Sequence, residues 1–306
     1  MENKLERRII FWLFLAPVLF AFAMVIVIPF LIGIYYSLTD WSASARTGAG
    51  LTFLGLQNFT QSLKDPGFIY SFGLTSVYTV VNMFVINVVA FFLAMMVTSN
   101  IKLRHVYRVG FFIPNLIGGL ILGYIWQFVF NNALPAVGNF AGFLSFLANP
   151  DNLVLSKRAS AVLAIVIAGT WQYAGYIMMI YVAALEGVPA ELHEAADIDG
   201  ANAWEKLRHI TIPMVAQAFT VTMFLTLMNS FKQFDVNFSL TAGGPSTNFM
   251  GKSIYATELL ALNIYNTAFI GNKLAMGQAR AVIFFLVLVI IALIQVYANK
   301  KKEIEM

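Results

Sequence analysis

The chain has 306 residues, of which 59% are hydrophobic and only 11% charged, with a formal net charge of +4 and a mean hydropathy of +0.76. A soluble domain carries about 25% charged and about 45–50% apolar residues, so a soluble core with a solvated surface is excluded and the composition is that of an integral membrane protein. With no cysteine in the sequence, disulfide and thiolate chemistry are excluded too, although the compartment is not thereby fixed.

A bilayer-crossing helix needs about 20 mostly apolar residues, and six stretches qualify. The first, 9–38, follows Lys4, Arg7 and Arg8 and precedes "ASA" at 43–45, an outline shared with secretory leaders. A cleavable apolar core is only about 7–15 residues long, so this run is expected to be a retained first span. The second, 68–98, contains Asn82 and Asn87. The third, 106–130, contains Pro114 and reaches Tyr124 and Trp126, which suit an interfacial aromatic belt. The fourth, 160–187, carries "TWQYAGY" at 170–176, the fifth, 212–238, carries Asn229, Lys232 and Gln233, and the sixth is 280–298. Pro17, Pro29 and Pro114 fall inside spans, where neighbouring helices re-satisfy the backbone groups that a proline frees. No repeat, linker or soluble insert interrupts the pattern. The expectation is an all-α polytopic membrane protein, a single transmembrane domain over 1–306 with six transmembrane helices.

The basic residues orient it. With the N-terminus inside, segments 1–8, 99–108, 188–211 and 299–306 carry 11 Lys and Arg, whereas the longer outer segments 39–67, 131–158 and 239–280 carry seven. Both termini, and the polar segment between spans four and five, are then cytoplasmic.

That segment, with "EAADIDGANAWEKLRHITIP" at 194–213, is too polar to be part of a span. Pro189 suits the first turn of a helix, and Glu191 and Glu194 lie where the helix dipole favours negative charge. Gly200 suits a left-handed C-terminal stop. Asn202 with Glu205 three residues on forms a capping box for a second helix, running through Trp204, Leu207 and Ile210 to Pro213. The spacing therefore predicts helix, tight glycine turn, helix. Ala195 and Ala196 keep one face slim enough for close approach to a partner, and Trp204 and Leu207 offer bulk to a groove; an amphipathic pair resting on lipid headgroups fits the same residues.

Candidates for a solute pathway are fewer. Asn229, Lys232 and Gln233 share a helical face at i, i+3 and i+4, and an ionisable residue in a span is a functional candidate, although Lys232 can also snorkel to the interface. Trp171, Gln172 and Tyr173 suit either sugar stacking and hydrogen bonding or helix packing. Asp235 suits a structural cap. His105, His193 and His209 have no ligand spacing, so no metal site is expected. There is no phosphate-cradling G-x-x-x-x-G-K-[ST] loop and no H-E-x-x-H or carboxylate cluster, so neither ATP hydrolysis nor another catalysis is expected in this chain. An ion-coupled secondary transporter needs paired repeats with broken helices, and no repeat is present, so that class is disfavoured.

Glu194, Ala195, Ala196, Asp199, Gly200, Ala201, Leu207, Ile210, Ile212 and Pro213 stand at the spacing of the EAA motif, and the chain resembles the permease subunits of bacterial binding-protein-dependent ABC importers. Leu207 replaces the family's usual Phe and Ile212 its usual Leu. "FDVNFSLTAGGPSTN" at 234–248, "FLGLQNF" at 53–59 and the first span at 15–41 are similar to the carbohydrate-uptake branch. The short N-terminus and "LTAGGP" resemble the first of its two unlike permeases, in the glycerol-phosphate and oligosaccharide style. The resemblance implies a multi-pass protein of the bacterial cytoplasmic (inner) membrane and a pathway shared with a second permease subunit. It also implies two ATP-binding subunits that carry ATP and Mg, an extracytoplasmic solute-binding protein, surrounding lipid and no nucleic acid partner. The loop from 188 to 211 would be the coupling helix docked on an ATPase. The implied cargo is a sugar or oligosaccharide; a glycerol phosphate or polyamine is the alternative.

Overall fold

The computed structural model describes residues 4–42, 51–99, 101–140 and 153–300. The expectations that fall on 43–45, 141–152 and 301–306 lie outside these. Helices dominate, as a chain in lipid must satisfy its backbone within each segment. Among the described residues five helices are long and apolar enough to cross a membrane. A sixth crossing is made if the pair Ala203–Met214 and Ala216–Phe231, bent by 69°, counts as one.

The chain packs as two units. One contains the residues up to Asp65 together with Ile264–Leu286. Here α1 (Lys4–Phe22) continues through a π-helical turn, Ala23–Val27, into α2 (Ile28–Ser37). Pro29 sits in the first turn of α2, just after the loosened turn, where its missing N–H costs least. The most apolar window of this span buries none of its residues. In α3 (Gln57–Lys64), the Asn58 side-chain amide donates to the carbonyls of Ser37 at 2.9 Å and Thr39 at 2.8 Å. Asp65, just beyond α3, accepts from Arg280 at 2.7 Å, and Arg280 also donates to Thr267 Oγ1 at 2.6 Å.

The other unit contains Pro66–Asn263 and the chain from Val287. Its spine is α4 (Pro66–Thr98). Then come α5 (Arg104–Phe112), α6 (Gly119–Phe128) and α7 (Leu134–Phe140), followed by α8 (Arg158–Glu186). Small buried residues, Ala90 and Ala94 on α4 and Ala164, Ala168 and Ala174 on α8, let α4 and α8 pack closely, the membrane alternative to a hydrophobic drive. Gly175 is the tightest point: a Cβ there would overlap the Phe111 carbonyl of α5.

The expected third span, 106–130, is corrected. The chain breaks through a 3-10 turn at Ile113–Leu116 into α6, and the long apolar helix is Gly119–Phe140. Pro114 cannot donate to the ladder and Gly118 and Gly119 follow it, so a straight helix is disfavoured there. The Gln172 side-chain amide donates to the freed Ile117 carbonyl at 3.3 Å.

After α8 the surface loop carries α9 (Ala190–Ile198) and α10 (Ala203–Lys206), which runs on through a π turn, Leu207–Thr211, to α11 (Ile212–Met214). The expected fifth span, 212–238, is likewise divided. It bends at Val215, ends as α12 (Ala216–Phe231) and resumes as the short α13 (Asp235–Leu240). Pro213 removes one ladder donor, and the π turn before it takes up the misfit. The chain then forms an antiparallel hairpin, β1 (Ser246–Phe249) and β2 (Lys252–Tyr255), and a short helix, α14 (Leu260–Tyr265), before α15 (Leu274–Lys300). The last helix therefore begins before the expected 280. Against α6, α13 packs at Gly119 and Gly123, where a Cβ would overlap or crowd Asp235 and Ser239.

Candidate functional site

The polar loop between α8 and α12 has the local geometry that its residues demand. Pro189 is the N-cap of α9, one place before the first-turn position expected. At the other end Gly200 takes φ +78°, a region that costs an L-residue about 1–2 kcal/mol and glycine nothing comparable. The Ala201 N–H donates to the Ala196 carbonyl at 2.9 Å and the Gly200 N–H to the Asp197 carbonyl at 3.2 Å. This is the paired Schellman arrangement that closes a helix on a left-handed residue. Two residues on, Asn202 accepts from the N–H groups of Trp204 and Glu205, each at 3.0 Å, while the Glu205 carboxylate accepts from the Asn202 N–H at 2.8 Å. The expected capping box is complete. Lys206 pairs with Asp197 across the turn at 2.7 Å.

The exposed surface of the loop is not quite the one expected. Ala195 faces out but Ala196 is buried, and Leu207 and Ile210 are half-buried. The bulk on offer is Trp204, 66% exposed, with Ile198, 87% exposed. Ile198 is the last residue of α9 and joins no apolar stripe; an apolar side chain two residues before a glycine stop is the signal that marks it. Glu194, Asp199 and Pro213 are exposed, and Ala201 is half-buried. The Glu194 carboxylate makes no hydrogen bond or ion pair among the described residues.

The candidate pathway residues do not come together as expected. Because α12 ends at Phe231, Lys232 is its C-cap and Gln233 lies beyond the helix, so the i, i+3, i+4 face does not exist. Asn229 is half-buried, Lys232 exposed and Gln233 buried with its side-chain nitrogen unpaired among the described residues. Consecutive positions on α8 likewise point apart. Trp171 is exposed and packs edge-to-face on Trp126, with ring centres 5.8 Å apart. Gln172 is committed to the Ile117 carbonyl, and Tyr173 is packed beside the cluster of Ile86, Ala174, Ile177 and Tyr181. Asp235 opens α13, its carbonyl accepting from Ser239 Oγ at 2.8 Å.

What does come together is a buried polar track between α4, α8 and α12. Asn82 donates to Ser230 Oγ at 2.8 Å, and Asn87 donates to Thr226 Oγ1 at 2.8 Å. The Tyr181 hydroxyl donates to Asn87 Oδ1 at 2.8 Å and accepts from Thr222 at 2.7 Å. Thr222, Thr226 and Ser230 recur every four residues, a polar stripe on an otherwise apolar helix, and that spacing marks them in the sequence. Such bonds in lipid contribute about 0.6 kcal/mol each, so the track fixes the register of α12 on α4 more than it adds stability.

Five or six apolar helices among the described residues, with a charged helix–glycine–helix loop between two of them, define a polytopic membrane protein. Residues 86–304 match the family of binding-protein-dependent transport system inner membrane components, and the chain belongs to that family. It is 44% identical over 301 residues to the probable starch degradation products transport system permease protein AmyD of Thermoanaerobacterium thermosulfurigenes, covering 98% of this chain and 97% of the relative. To the multiple sugar-binding transport system permease protein MsmF of Streptococcus mutans it is 29% identical over 297 residues, 96% of each. Its fold is similar to that of a bacterial ABC transporter involved in the import of the acidic polysaccharide alginate, at a TM-score of 0.80 and 17% identity over 97% of both chains.

Proposed function

We propose that this chain forms half of the translocation pathway of an ATP-driven importer for a sugar or oligosaccharide, together with a second, unlike permease subunit. An extracytoplasmic solute-binding protein delivers the cargo. Two separate ATP-binding subunits, which hold ATP and Mg, drive the change of access. The termini and the loop 188–211 lie on the cytoplasmic side, and that loop is the coupling helix through which an ATPase subunit moves the spans. The observation that carries this reading is the loop itself: a Schellman closure and a capping box, back to back, hold Ile198 and Trp204 out on a rigid turn. The cargo reading is supported by the names of the relatives, for starch degradation products and multiple sugars.

The chain contains no cysteine, so Ile198→Cys introduces a single label site. A membrane-impermeant maleimide is expected to label it in inside-out vesicles and not in intact cells, and an assembled ATPase subunit is expected to protect it. Labelling from the outside overturns the orientation, and labelling that is unaffected by the ATPase overturns the docking. Cells deprived of the chain are expected to lose uptake of a labelled neutral oligosaccharide and keep that of glycerol 3-phosphate; the reverse pattern transfers the reading to phosphorylated cargo.

A further inference from the structure

A cleft of about 700 Å³ opens between α4, α5 and α8, lined by Val85, Val89 and Leu93 on α4, Tyr107 and Phe111 on α5, and Trp171 on α8. Two of the other lining residues, Trp126 and Thr170, have polar atoms, but Trp126 Nε1 and Thr170 Oγ1 carry no accessible surface. They present carbon to the cleft. A sugar would find almost no hydrogen-bonding group here, and the track of Asn82 and Asn87 bonds inward to α12 and α8.

Basic residues stand at the start of α5. Arg104 lies three residues before the lining residue Tyr107, on the same helical face, and Lys102 two positions earlier in the chain; both are exposed and neither makes an ion pair among the described residues. Arg108 is already matched, to Glu186 at 2.6 Å and the Val97 carbonyl at 3.1 Å. Unmatched cations at one end and hydrocarbon along the rest describe the receptor for an anionic amphiphile. The apolar run from Val85 to Leu93 is about 12 Å of helix, a length that one hydrocarbon chain can follow.

We propose that the cleft seats one acyl chain of an anionic phospholipid whose phosphate rests on Arg104 and Lys102, at the end of α8 from which the coupling loop leaves. Basic residues next to a span attract anionic headgroups, each contributing about fivefold in occupancy. The full chain would be equilibrated with vesicles of phosphatidylglycerol and phosphatidylcholine in equal parts and its retained lipids read by native mass spectrometry. Phosphatidylglycerol is expected to be retained preferentially. Lys102→Gln with Arg104→Gln is expected to cut that preference about 25-fold. Gly110, another lining residue, has nothing within 4 Å of an added Cβ, so Gly110→Phe starts a ring into open space in the cleft and is expected to lower retention of both lipids. Equal retention of the two lipids, or retention unchanged by Gly110→Phe, overturns the proposal. So does efficient cross-linking of Gly110→Cys to a second permease subunit in the assembled transporter, which would make the cleft a protein seam. None of these readouts depends on transport, so the lipid site and the proposed function can fail separately.

Discussion

Gly200→Val isolates the turn on which the proposed coupling depends. A Cβ at this position meets no atom within 4 Å in the chain, so the cost of the substitution is conformational and not steric crowding. At φ +78° an L-residue is strained by about 1–2 kcal/mol, and a β-branched residue lies at the upper end or beyond. Relief means leaving the left-handed region, which breaks the bonds from Ala201 to Ala196 and from Gly200 to Asp197 and re-aims α10 with Trp204. A penalty of about 2 kcal/mol shifts the ratio of correctly turned to distorted loops about 30-fold. Uptake of labelled sugar, normalised to the amount of protein in the membrane, is expected to fall by at least tenfold while that amount stays unchanged. Asparagine tolerates the left-handed region best among side chains, so Gly200→Asn is expected to keep most activity and Gly200→Ala to fall between. Normal uptake by Gly200→Val refutes the turn; equal loss in Gly200→Asn and Gly200→Val refutes the conformational explanation and points to close approach of a partner.

Other perturbations test the supporting structure. Asn202→Ala removes an N-cap acceptor and is expected to destabilise α10 by about 1 kcal/mol, read as faster amide exchange at Trp204 and Glu205. Gly175→Ala forces the backbones of α8 and α5 apart and is expected to cost about 1–3 kcal/mol, read as a lower Tm in detergent. Arg280→Met removes a buried partner of Asp65 and is expected to lower Tm in detergent, whereas adding Asp65→Leu to it recovers part of that loss; additive losses in the pair would refute the coupling. Asp40 accepts from the side chain and the N–H of Thr52, and these bonds hold its carboxyl below the usual carboxylate range. A lowered folded pKa means stability present above the unfolded pKa and lost as pH falls through the folded one. Protection of the Thr52 amide, taken relative to its intrinsic exchange rate at each pH, is therefore expected to fall on acidification below the ordinary carboxylate range, and Asp40→Asn to abolish that pH dependence.

The backbone of the loop between α8 and α12 was legible in the sequence, its exposed face less so. Its devices are local: Gly200 needs only its own φ, and Asn202 with Glu205 closes a box three residues wide. The breaks in spans three and five were half visible, because Pro114 and Pro213 show where a ladder loses a donor but not whether the helix kinks, loosens or stops. Gly119 and Gly123 also stood in the open as a small-residue pair at GxxxG spacing, unread until α13 was seen to rest on them.

Composition and periodicity alone determined that this chain lives in a bilayer, roughly where its helices run and where it breaks into a built polar turn, since each follows from transfer energies or neighbours within a turn of helix. Only the tertiary structure decided what the polar residues inside the spans do. Asn87 meets Thr226, Gln172 meets Ile117 and Arg280 meets Asp65 across 55 to 215 positions of sequence. A side chain buried in lipid must find a partner wherever folding brings one, and no local pattern names it.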